Sequence, residues 1–95
     1  MRIHGYALDK IKPKEVLIMN IKYESEYRKL GLKIAYYRKL SGLTQEQLAE
    51  KIDKSAAFIG HVEAPGVYKA ISLDTLFDIS EVLNIPAHKF LSFDD

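Results

Sequence analysis

The sequence predicts an all-α fold, a small bundle of four to five helices behind a non-helical N-terminal arm. Three observations predict it. Large apolar residues recur at steps of three and four between Tyr27 and Tyr37 and again between Leu73 and Leu83, which is one face of a helix. Thr44, Ser55 and Ser72 each stand just before an apolar-periodic stretch, where their hydroxyls can cap it. The breaks between stretches are short, as in bundles of antiparallel neighbours. The chain has 95 residues, enough for one domain and one modest core, and 47% hydrophobic content argues against disorder.

The arm covers residues 1–22 and the helical domain residues 23–95. Within the arm, Ile3 to Leu8 and Val16 to Ile21 are short apolar runs separated by a polar stretch containing Pro13. A short β-hairpin is one arrangement open to them, and an extended arm ordered by a partner is another. Met19 is also a candidate start of translation, which would leave residues 1–18 outside the natural chain.

The first helix begins near Tyr23 and buries Tyr27, Leu30, Ile34 and Tyr37. Glu24 and Glu26 near its start and Arg38 and Lys39 near its end suit the helix dipole. Gly42 ends it, being free to adopt the left-handed conformation. Thr44 and Gln47 form a capping box that opens a helix at Gln45–Ile52, with Leu48 and Ile52 as its stripe and Ala49 beside them. After Asp53-Lys54, Ser55 caps a helix at Ala56–Glu63 that buries Ile59 and Val62, with Phe58 a further candidate. Ala64 to Val67 is a turn. Ser72 caps the next helix, whose stripe is Leu73, Leu76, Ile79, Val82 and Leu83 and which Asn84 ends. Pro86 starts a last short turn anchored by Phe90 and Leu91.

Charge is unevenly placed along the chain. The net value is +1, yet residues 1–22 hold five positives against two negatives, and residues 72–95 hold one positive against five negatives. Such a chain can present a positive face despite near neutrality. The absence of Cys removes disulfides, thiolate metal sites and a Cys nucleophile. No apolar run approaches the roughly 18 residues of a membrane span, and no cleaved signal peptide is apparent. A soluble cytoplasmic chain is the expectation. His4, His61 and His88 match no metal-ligand spacing, and no nucleophile elbow, phosphate loop or dinucleotide fingerprint is present. The chain is therefore expected to be no enzyme and to need no metal or cofactor.

Two short helices joined by a tight turn, Gln45–Ile52 and Ala56–Glu63, are the helix-turn-helix pattern. The run L-T-Q-E-Q-L-A-E-K-I, then D-K-S, then a helix carrying Ile59 and Glu63, resembles the Cro/C1-type (Xre-like) helix-turn-helix family. The resemblance extends over about residues 27–91. It takes in Ile34 and Arg38 before the motif, the G-L-T-Q junction at Gly42 to Gln45, and Leu73, Leu76, Ile79 and Leu83 after it. It implies a lambda-repressor-like bundle in which the second motif helix enters the major groove of double-stranded DNA.

The resemblance also implies roles for particular residues. Gln45 would contact phosphate, Ser55 would cap the recognition helix and reach phosphate, and Ala56, Ala57, Gly60 and His61 would face the bases. Lys69 would contact the DNA backbone from the loop after that helix, and Lys54 would add a charge nearby. Arg38 and Glu63 match the family's partly buried ion pair. Two departures stand out: Asp53 occupies the turn position where the family usually has Gly, and the Ala- and Gly-rich recognition helix leaves only His61 able to make a side-chain hydrogen bond to a base.

The expected function is sequence-specific transcriptional regulation by a dimeric, repressor-like protein using residues 45–63. The alternative is an antitoxin-like or accessory protein-interaction module that keeps the fold and reads DNA weakly. Dimer contacts are expected from the arm, from the region around Phe90–Phe93, or from both. A homodimer on double-stranded DNA, with room for a protein partner and no membrane, is the partner expectation.

Overall fold

The structure, a computed structural model, describes residues 22–66 and 69–93. The apolar runs, basic residues and hairpin expected of the arm lie outside the described residues, apart from Lys22. Among the described residues there are five helices and no strand: α1 (Glu24–Leu40), α2 (Gln45–Lys51), α3 (Ala56–Glu63), α4 (Leu73–Leu83) and α5 (Ala87–Phe90).

Local chemistry explains where α2, α3 and α4 begin and where α1, α2 and α4 end. Thr44 and Gln47 form a complete capping box: the Gln47 N–H donates to Thr44 Oγ1 at 3.0 Å, and the Thr44 N–H donates to Gln47 Oε1 at 2.8 Å. Ser55 and Ser72 each accept from the backbone N–H three residues on, at 3.0 and 3.1 Å. The carboxyl ends of α1, α2 and α4 share one device. Gly42, Asp53 and Asn84 all sit in the left-handed region, with φ of 77°, 57° and 56°. At each, the following residue's N–H reaches back to a carbonyl five positions earlier: Leu43 to Arg38, Lys54 to Ala49, and Ile85 to Ser80. These paired bonds satisfy helix-end carbonyls that would otherwise lack partners.

The core gathers one stripe from every helix. Leu30 and Ile34 of α1, Leu48 and Ala49 of α2 with the adjoining Ile52, Ile59 and Val62 of α3, Leu76, Ile79 and Leu83 of α4, and Phe90 of α5 are buried together. The Tyr37 ring meets Phe90 edge to face with centroids 5.2 Å apart. Gly31 is buried where α1 crosses α3, and a Cβ there would run into the Val62 carbonyl. The two helices can approach this closely only because residue 31 has no side chain.

Two expected core residues are not in the core. Leu73 and Leu91 are 62% and 48% exposed. On a helix of 100° per residue, Leu73 lies about 90° from the centre of the face made by Leu76, Ile79 and Leu83. Thr75 is nearer that face and is buried in its place. Phe90 is wholly buried in its own chain, so it cannot supply a contact between subunits. Tyr27, Tyr37 and Val82 pack against the core from its edge rather than within it.

Candidate nucleic-acid interface

The site is built on the α2–α3 pair. Ala49, 2% exposed, lies between the two helices, and Leu48, Ile52, Ile59 and Val62 lock the pair to the rest of the core. The connecting turn depends on Asp53 holding a left-handed conformation, at which point the chain can reverse within a few residues. Ser55 then starts α3 in a new direction.

Behind the pair lies a buried polar network. Arg38 Nε donates to Glu63 Oε2 at 2.7 Å and Arg38 Nη2 donates to Glu63 Oε1 at 2.8 Å, a bidentate pair between two buried residues. Arg38 Nη1 donates to the Leu43 carbonyl at 2.7 Å. Gln45 Nε2 donates to Glu63 Oε1 at 3.0 Å. The hydrogen bond from Arg38 to Glu63 raises the guanidinium above its ordinary arginine range, and its proximity to the carboxylate adds to this. Burial acts the other way, and the group stays charged. Among the described residues no buried side-chain nitrogen or oxygen is left without a partner.

This network fixes one edge of the site. Gln45 is half-buried, and its Oε1 is the atom nearest to a Cβ placed at Gly60, 3.6 Å away. The Gln45 side chain thus lies across the start of α2 toward Gly60 and Glu63, with the second N–H of its amide still to be used. The structure brings Arg38, Gln45, Gly60 and Glu63 together.

The opposite edge is basic. Lys54 Nζ lies 5.6 Å and Lys69 Nζ 5.5 Å from the centroid of the Phe58 ring. Phe58 is half-buried at the start of α3, so one anchored ring gathers a cation from before the helix and one from the loop beyond it. Ser55 is exposed, and while its oxygen caps α3 its hydroxyl proton remains a donor. Between these edges the outer face of α3 carries Ala57 and His61, both exposed and four residues apart, and Ala56 and Gly60, both half-buried.

Two contributors escaped the sequence. Phe58 carries no signal that it would gather Lys54 and Lys69, because the loop that returns Lys69 is not periodic. Arg28 Nε donates to the Pro65 carbonyl at 2.9 Å and so ties α1 to the turn that follows α3. Its pairing with Glu24, at 3.3 Å, follows from the i,i+4 spacing of one helix, but the bond to Pro65 exists only in the folded chain.

Among the described residues no group of three or more His, Asp or Glu is arranged to hold a metal ion, and no helix is long and apolar enough to cross a membrane. A protein-family model described as helix-turn-helix matches residues 34–90, more than half of the chain. No curated protein matches it.

Proposed function

We propose that this chain, which belongs to the Cro/C1-type helix-turn-helix family of DNA-binding regulators, is a sequence-specific, dimeric, repressor-like transcriptional regulator. It works in the cytoplasm and has no catalytic step. The observation that carries this reading is the shape of the α3 face. A nearly bare helix surface of Ala56, Ala57 and Gly60 is flanked by Gln45 on one side and by Ser55, Lys54 and Lys69 on the other. Small side chains let the α3 backbone sit deep in a major groove, while the flanking donors and cations meet phosphates on either side. Base discrimination then rests on His61, on methyl contacts from Ala56 and Ala57 to thymine, and on DNA shape.

The test is a binding titration on mixed genomic fragments at two salt concentrations, followed by selection of the bound sequences. Affinity should fall steeply with salt, and the selected pool should converge on a motif. Gln45→Ala should weaken binding to all sequences about equally, because it removes a positioning contact and no base contact. A changed sequence preference at unchanged affinity would exclude that role for Gln45.

One observation favours a second reading: no residue on the outer face of α3 can make a bidentate contact to a base pair. An antitoxin-like module that keeps the fold and binds protein would show weak, unselective DNA binding in the same experiment.

A further inference from the structure

We propose that α1 and α4 carry the two halves of a self-association surface, and that a second copy of this chain docks across it. This rests on the dimeric reading above and assigns it an interface. On α1, Leu32, Tyr36 and Leu40 are 50%, 59% and 68% exposed. They stand four residues apart, so they form a single outward stripe. Lys29, Lys33 and Lys39 fall within the same arc of about 120°, while the acidic residues Glu24 and Glu26 are confined to the first turn. On α4, Leu73 and Phe77 are 62% and 52% exposed and also stand four apart. Around them are Asp74, Asp78 and Glu81, and α4 has no basic residue at all.

One molecule therefore presents an apolar stripe edged with lysines and an apolar stripe edged with carboxylates. Single exposed apolar residues need no explanation, but two stripes with matched spacing and opposite charge do. The stripes approach one another at Phe93. Phe93 lines both the groove beside Leu32 and Tyr36 and the groove beside Tyr23 and Leu73. Two copies meeting α1 to α1 would set lysines against lysines, and α4 to α4 carboxylates against carboxylates. Only the crossed arrangement satisfies both charge and apolar burial, and a two-fold axis makes it twice over.

The experiment measures mass in solution without DNA, by sedimentation at low salt. The wild-type chain should be a dimer. Lys29→Glu with Lys33→Glu should be monomeric, and so should Asp74→Lys with Asp78→Lys. An equimolar mixture of the two variants should return to dimer, because each altered stripe then faces its complement. Tyr36→Ser with Leu40→Ser leaves every charge in place and should also give a monomer, so the result does not hang on the folding of one variant. A wild-type monomer, a charge-reversed variant that stays dimeric alone, or a mixture that stays monomeric would each overturn the proposal. A wild-type monomer that still selects a DNA motif would remove the interface and leave the regulator. A dimer that ignores DNA would do the reverse.

Discussion

Glu63 accepts three hydrogen bonds on its two carboxylate oxygens, two from Arg38 and one from Gln45. The members of this network are unequal in consequence. Loss of Glu63 leaves the Arg38 guanidinium charged, buried and short of its partner, so Glu63→Ala should cost about 3–5 kcal/mol by urea unfolding. Loss of Gln45 leaves both Arg38 bonds in place, so Gln45→Ala should cost no more than about 1 kcal/mol while weakening DNA binding. Equal destabilisation by the two changes would mean that Gln45 acts on DNA only through the fold. His61 presents the opposite profile, exposed and outside the network. His61→Ala should leave stability nearly unchanged and relax the selected motif at one position, by about 1–3 kcal/mol of discrimination. A motif that stays intact would assign readout to DNA shape and thymine contacts.

At the scale of elements, helix ends were legible in the sequence because their causes are local. Thr44 with Gln47, Ser55, Ser72, Gly42 and Asn84 each act within a few residues of where they stand. What could not be read was set by other helices. Gly31 looks like a weak point inside α1 and is instead the crossing point with α3. Leu73 fits the spacing of the α4 stripe yet lies off its buried side, and Phe58 becomes a cation platform only once the loop returns Lys69 to it. Asp53 was legible as a departure, and the structure supplies its geometry: it holds φ of 57° at the position after α2 where glycine is least strained. A non-glycine residue there carries about 1–2 kcal/mol of left-handed strain, and Asp less than most. Asp53→Gly gives back part of that gain through chain entropy. The expected outcome is a net stabilisation of about 0.5–1 kcal/mol, seen as a melting temperature higher by a few degrees. A lower melting temperature would show that the Asp53 side chain supports the turn in its own right.

For the whole molecule, a net charge of +1 conceals a separation of charge that bears on how two copies could meet DNA. Lys54 and Lys69 gather at the start of α3, while α4 carries three acidic residues and no base. In the proposed complex DNA would repel the acidic α4 and attract the start of α3, so electrostatics would orient the chain before any base is read. A single chain bound as proposed would hold one short helix in one groove, with few specific contacts. In the proposed dimer, two copies related by a two-fold axis would double the contacts and place the α3 helices in successive major grooves, about 34 Å apart on one face of the duplex. The second half-site would then bind at the high effective concentration set by the first, which would raise affinity by about 10²-fold or more. Spacing follows as a prediction. Once a motif is selected, inserting about five base pairs between its halves turns one half to the far side of the duplex. Binding measured by gel shift should drop to that of a single half-site, a loss of about 10²-fold or more. Phosphate contacts made one copy at a time do not depend on the phase of the two halves. Affinity that ignores the insertion would therefore mean that the chain binds DNA as independent monomers, whatever its mass in free solution.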